Sequence, residues 1–242
     1  MLTLDKLTKH FKDVKAVREV SFTVTGGEIF GLLGANGAGK TTTLRMLATM
    51  LTPTSGTASI EGIDLLKQPD RVRGCVGLLF GGDAGLYDRL TARENIVYFA
   101  RLCGRDEAEA RGRADALAEA FAFTEYIDFP AKKLSKGTRQ KVALARSIVH
   151  DPTVMLFDEP MVGLDVTSRK DVEDFMLELK AKGKTIVLSD HNLNITERLC
   201  DRIGILHKGE LIAAGTLDEL CRSNRCANLE EVFFKLAGRD AE

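Results

Sequence analysis

Residues Gly34 to Thr42 read GANGAGKTT and fit the pattern G-x-x-x-x-G-K-[ST] at Gly34, Gly39, Lys40 and Thr41. An apolar run, Ile29-Phe30-Gly31-Leu32-Leu33, precedes them, and a helical pattern from Thr42 to Met50 follows. A strand, a glycine-rich loop and a helix start are the context a phosphate-binding loop requires. The loop residues Gly34, Ala35, Asn36, Gly37, Ala38 and Gly39 can turn successive backbone N–H groups inward as a concave anion nest. The helix start adds roughly half a positive charge from its dipole. Lys40 would reach the outer phosphates, and the Thr41 hydroxyl would ligate Mg²⁺, with Thr42 beside it. A glycine-rich turn that only caps a helix is the plainer alternative. The full pattern in its full context rarely arises by chance, so nucleoside triphosphate binding is expected.

The rest of the composition narrows the class. At 242 residues the chain suits one large domain, or a domain with an inserted subdomain. A net charge of -1 lacks the basic footprint of a nucleic-acid binder, so no nucleic-acid partner is expected. Lys132-Lys133 reads as solvated surface. The five cysteines, Cys75, Cys103, Cys200, Cys221 and Cys226, are scattered without C-x-x-C spacing, which argues against a disulfide framework or a zinc site. Reduced thiols suit a cytosolic address. The N-terminal stretch has no continuous apolar core of a signal peptide. No segment approaches the roughly 18 apolar residues of a spanning helix, so any membrane role is expected of a soluble subunit.

In chain order, residues 2–24 alternate apolar and polar and predict two strands, with Gly26-Gly27 as a turn. Phe11 lies among charges; it is either an exposed stacking platform for a base or a core residue near the surface. Glu28 to Leu33 predicts the strand that feeds the phosphate loop. Thr57 to Ile60 predicts another strand, Pro69 to Val72 a short helix, and Gly74 to Phe80 a buried strand. Gly81-Gly82-Asp83-Ala84-Gly85 has the composition of a mobile loop. Thr91 with Glu94 predicts a capping box for a helix to Cys103. Residues 105–123 and Lys136 to His150 predict two more helices, so 83–150 reads as an all-helical insertion. Strands resume at Thr153 to Phe157 and Thr185 to Leu188, flanking a helix from Asp165 to Lys180. A hairpin turns at Lys208-Gly209, and Thr216 to Leu236 predicts one amphipathic helical segment.

The strand ending in Asp158-Glu159-Pro160 supplies a second half of the site. Asp158 would stand at the carboxyl edge of the sheet, where α/β folds bind ligands, and would hold the Mg²⁺ shell. Glu159 would point elsewhere and polarise the attacking water. Ser135, a plausible N-cap within LSKGTRQK, and His191, at a strand end, are by themselves ordinary structural residues.

Together and in this order, these segments resemble the ATP-binding subunits of ABC transporters over nearly the whole chain. Gly34 to Thr41 resembles the Walker A loop. Leu134-Ser135-Lys136-Gly137-Thr138 resembles the ABC signature, usually LSGGQ. Val154 to Glu159 resembles Walker B with the catalytic glutamate, Gly163-Leu164-Asp165 the D-loop, and His191 the switch histidine. Phe11 stands where the family stacks an aromatic on adenine. The resemblance implies an α/β P-loop NTPase fold of the RecA-like kind. It would have an N-terminal antiparallel β-subdomain, a RecA-like core over 1–82 and 151–215, a helical subdomain over 83–150 that faces the transporter, and a helical tail over 216–242. It implies ATP with Mg²⁺, Lys40, Glu159 and His191 as catalytic groups, and Thr41 and Asp158 at the metal. It also implies a head-to-tail dimer in which Ser135 and Gly137 of one copy complete the site of the other, with Asp165 of the D-loop among the nucleotide-binding residues. The partners implied are a multi-span permease and a second ATP-binding subunit, at the cytoplasmic face of the cell membrane.

The chain departs from the family in places. Gly81 replaces a Gln that usually touches the metal, Lys136 and Thr138 alter the signature, Met161 replaces Thr or Ser, and Asp190 stands where Ser or Thr usually precedes the histidine. The stretch from Phe80 to Ile96 resembles one bacterial subgroup, sodium-extruding and related multidrug exporters, in which Gly81-Gly82 is usual. The expected function is therefore the ATPase of an exporter, with Na⁺ or drug as cargo. Two other readings are a soluble ABC ATPase acting on nucleic acid or ribosomes, and a subunit that binds ATP without turning it over. The single cassette, without a basic stripe, disfavours the former, and Gly81 alone supports the latter.

Overall fold

A computed structural model describes residues 1–81 and 85–238. Gly82, Asp83 and Ala84 of the glycine-rich loop, and the last four residues of the C-terminal tail, lie outside the described residues. The chain begins β1 (Leu2–Phe11), β2 (Val14–Val24), β3 (Ile29–Leu33), α1 (Lys40–Leu47), β4 (Ser55–Ile60), β5 (Ile63–Asp64), α2 (Pro69–Cys75) and β6 (Val76–Phe80). The helices α3 (Ala92–Leu102), α4 (Glu107–Ala120) and α5 (Lys136–Ile148) follow. Then come β7 (Val154–Asp158), α6 (Val166–Ala181), β8 (Thr185–Asp190) and α7 (Leu193–Leu199). The described chain closes with β9 (Arg202–His207), β10 (Glu210–Gly215), α8 (Leu217–Asn224) and α9 (Leu229–Ala237).

Two sheets result. The first is antiparallel, in the order β2-β1-β4-β5. Its alternating apolar residues, Leu2, Leu4, Val20, Phe22 and Val24 among them, are buried on one face. The second has the order β10-β9-β3-β8-β7-β6, parallel except for β10. Its central strands are buried on both faces, so they read as continuous apolar runs. The fold is the mixed α/β class expected.

Register decides what the second sheet can do. Leu33 pairs with Asp190, Asp158 with Ser189, and Phe80 with Asp158. The loops after β3, β6, β7 and β8 therefore leave the carboxyl edge side by side, where α/β sheets take their ligands.

The helices α3, α4 and α5 occupy the stretch between β6 and β7. Ala110, Ala114 and Ala118 put a small-residue stripe on α4, and all three are fully buried. One hydrophobic cluster runs from these alanines through Ile96, Val142 and Phe121 to Phe157 and Leu188 of the sheet. The helical segment thus shares its core with one face of the parallel sheet. The other face shares a core with the antiparallel sheet and α1.

Two expectations need correction, and two short elements were not foreseen. The strand expected over Gly74 to Phe80 is β6, which starts at Val76 because residues 74–75 close α2; β6 is an edge strand, with Leu78 and Phe80 only half-buried. The single helical segment expected from Thr216 to Leu236 is two helices, broken where Arg225 turns left-handed at φ 54° and Asn228 accepts a bond from the Glu231 N–H to start α9. The short α7 and the two-residue β5 lay below the length at which periodicity is visible.

Candidate functional site

The loop residue Gly39 adopts φ 106°, and a Cβ there would lie 2.6 Å from the Ala16 carbonyl oxygen. Glycine is the residue that meets both conditions. This turn starts α1 with Lys40 as its first residue. The Lys40 side chain is buried and donates through Nζ to the carbonyls of Gly34 at 2.6 Å and Ala35 at 3.1 Å. Burial pulls the Lys40 pKa down, while Glu159, Asp158 and Asp190 push it back up. A cavity of about 130 Å³ lies here, lined by Ala16, residues 36–42 and Glu159. That volume suits phosphate groups rather than a whole nucleotide, since sites for drug-sized ligands run to roughly 300–1,000 Å³.

At the neighbouring strand ends, Thr41 Oγ1 donates to Asp158 Oδ2 at 2.6 Å, and Ser189 Oγ donates to Asp158 Oδ1. Asp158 is buried, so the register of β7 against β8 supplies the hydroxyl that holds its second oxygen. A hydroxyl and a carboxylate oxygen converging at this distance form the hard oxygen set that suits Mg²⁺.

Glu159 turns away from Asp158 because its backbone is left-handed at φ 49°. That conformation is uncommon for a residue with a side chain. It is held by the Glu159 N–H, which donates to the Ser189 carbonyl at 2.9 Å. His191 Nδ1 lies 3.3 Å from Glu159 Oε1. The end of β7 also lies close to Gly81. A Cβ there would meet the Asp158 carbonyl oxygen at 3.0 Å and the Glu159 Cβ at 3.2 Å. Ordinary carbon contacts sit at about 3.5–4.0 Å, so a side chain here would need its neighbours at the end of β7 to give by a few tenths of an ångström.

The signature residues form a second, separate group. Ser135 caps α5, accepting from the Thr138 N–H at 3.1 Å. Asp165 caps α6, accepting from the Ser168 N–H at 2.9 Å, and this bond leads the causes that lower its pKa. A Cβ on Gly137 would sit 3.8 Å from Asp165 Oδ2, so the two caps are neighbours. None of Ser135, Gly137 and Asp165 lines the phosphate-loop cavity. Phe11 does not line it either; it stands 44% exposed with Lys9 Nζ 5.2 Å from its ring centroid.

Sequence reasoning missed Ala16 and Ser189. Ala16 reaches the loop through the fold of β2 over it, and no motif marks it. Ser189 is placed by strand register; its one signal was its position directly before Asp190-His191.

Among the described residues, no helix is long and apolar enough to cross a membrane. The ABC transporter family model matches residues 17–162. The ABC transporter ATP-binding protein NatA of Bacillus subtilis (strain 168) is 45% identical, over 97% of this chain and 97% of its own. A solved ATP-binding subunit of an ABC transporter superposes with TM-score 0.90 at 34% identity, covering 98% of this chain and 99% of that one. An ATP-binding cassette solved as a dimer in a post-hydrolysis state, bound to ADP and Pi, superposes with TM-score 0.82 at 26% identity, covering 90% of this chain and 99% of that one. With near-complete coverage on both sides and a family model spanning more than half its residues, this chain belongs to the ABC transporter ATP-binding proteins and is an ATPase.

Proposed function

We propose that the chain is the ATP-hydrolysing subunit of a bacterial exporter and works as one half of a closing dimer. The observation that carries the site is the convergence of Thr41, Asp158, Glu159 and His191 on the edge where the phosphate loop ends. Lys40 and the loop N–H groups would bind the triphosphate. Thr41 and Asp158 would hold Mg²⁺, which when bound neutralises charge on the phosphate oxygens. Glu159 would take the proton of the attacking water, and His191 would donate a hydrogen bond to the γ-phosphate. Phe11 would stack on the base.

Ser135, Gly137 and Asp165 would act on the nucleotide of a second copy or of a related cassette. That none of them lines this chain's own loop cavity supports that reading. The dimeric state of the solved ADP-bound cassette supports it further. The helical segment 83–150 would meet a multi-span permease at the cytoplasmic face of the membrane. Export, of Na⁺ or a drug, rests on the likeness of Phe80 to Ile96 to that exporter subgroup.

Glu159→Gln tests the site. ATP binding is expected to remain, while steady-state hydrolysis falls by roughly 10²- to 10⁴-fold, the usual worth of a positioned base. Wild-type turnover in this variant would remove Glu159 from the reaction.

A further inference from the structure

We propose that Cys221 and Cys226 are a reversible modification site: under a hydroperoxide they join in an intramolecular disulfide that locks the break between α8 and α9.

The spacing Cys-x-x-x-x-Cys carries no motif in the sequence. The turn at the end of α8 brings the two residues together. Arg225 is left-handed at φ 54°, its N–H donates to the Arg222 carbonyl at 3.2 Å, and the Cys226 N–H donates to the Cys221 carbonyl at 3.0 Å. These two bonds make a Schellman cap, in which the side chains at the ends of the larger ring meet. Here both ends are cysteines. Residues joined by backbone hydrogen bonds across a sheet have Cα atoms about 5.5 Å apart, inside the roughly 4.4–6.8 Å window of disulfides. The bond from Cys226 to Cys221 sets a comparable approach. Both thiols are free and half-buried, and both pack against the cluster that holds Leu220, Leu229 and Phe233.

The surroundings of the two sulfurs differ. Cys226 Sγ donates to the Asn224 carbonyl at 3.4 Å, and Lys235 Nζ donates to the same oxygen at 2.6 Å, so a cation stands beside Cys226. Acids surround Cys221. Burial pushes its thiol up, and Glu197, Cys226, Asp218 and Glu231 add to the shift. Thiolates rather than thiols attack peroxides, which makes Cys226 the first to react. Its sulfur attacks one peroxide oxygen, the O–O bond breaks, water leaves, and a sulfenic acid remains. The Cys221 sulfur then attacks that sulfur. The S–S bond forms, the S–O bond breaks, and hydroxide leaves with the Cys221 proton as water. Two thiols and one hydrogen peroxide thus give one disulfide and two waters, and a dithiol reductant reverses the change. Burial holds the Cys200 thiol up at about 12, which keeps it out of this chemistry, while exposed Cys103 serves as an internal control for a single thiol.

Arg222 and Arg225 lie between the two cysteines, so trypsin releases peptides 209–222 and 226–235 from an oxidised chain as one linked species. The test treats the reduced, purified chain with hydrogen peroxide, blocks the remaining thiols with iodoacetamide, and reads the digest by mass spectrometry. The linked pair is expected from protein that runs as a monomer on a non-reducing gel. It is expected to be lost on treatment with dithiothreitol and in both Cys221→Ser and Cys226→Ser. With dimedone present, Cys221→Ser is expected to carry the adduct on Cys226, and Cys226→Ser to keep Cys221 as a thiol. Sulfinic acid on Cys226 without the linked pair, a link found only between two chains, or oxidation of Cys103 with both Cys221 and Cys226 unchanged would each overturn the proposal. A dimedone adduct on Cys221 in place of Cys226 would overturn the order of attack.

Discussion

Gly39 combines a positive φ of 106° with a carbonyl oxygen 2.6 Å from any Cβ it could carry. Gly39→Ala therefore strains the turn and collides with the Ala16 backbone. A loss of about 1–3 kcal/mol is expected in chemical denaturation, together with weaker binding of a fluorescent ATP analogue. Residues of this kind were legible in the sequence because the phosphate loop is contiguous. Six glycine or small residues and one lysine, in fixed order before a helix, state their chemistry without a third dimension. Asp158 and Glu159 were legible for a related reason, since an apolar strand ending in acids marks the sheet edge. Ser189, which holds the far oxygen of Asp158, and Ala16, which roofs the loop, were not. Both act through strand register and sheet approach, and neither leaves a local pattern.

Among the elements, α3 has a start that was spelled out in full. Thr91 accepts from the Glu94 N–H, and the Glu94 carboxylate accepts from the Thr91 N–H at 2.7 Å. Thr91→Ala removes the side-chain half of that box. It is expected to lower stability by about 1 kcal/mol, seen as a fall in Tm of roughly 2–4 °C for a domain of this size. Thr91→Ser should restore it, and KM for ATP should not move. The helices α3 and α5 were visible because their apolar stripes repeat over several turns, and α4 because its Ala- and charge-rich composition favours a helix. The seven-residue α7 was not, because it spans too few turns for a stripe. The break between α8 and α9 was hidden by continuous amphipathicity. The Asn228 to Glu231 capping signal within that stretch marks it in the structure.

At the scale of the molecule, two groups of site residues occupy one chain without lining one cavity. If they serve two copies facing each other, a bulky cation at Ser135 would stand against the second copy's phosphate loop. Ser135→Arg is expected to abolish ATP-dependent dimerisation of the Glu159→Gln protein on size-exclusion chromatography, with stability lowered by no more than the loss of one N-cap, about 1 kcal/mol. A normal ATP-induced dimer in this variant would count against the shared site. The sequence alone determined the nucleotide chemistry, the α/β alternation and the order of the motifs, because each is written in short contiguous patterns of residue type. Only the tertiary structure decided the strand order β9-β3-β8-β7-β6, the shared core between the helical segment and the sheet, and the meeting of Thr41, Asp158, Ser189 and His191 at one edge. Those depend on which strands pair and in what register, a choice made by burial across the whole chain rather than by neighbours in sequence.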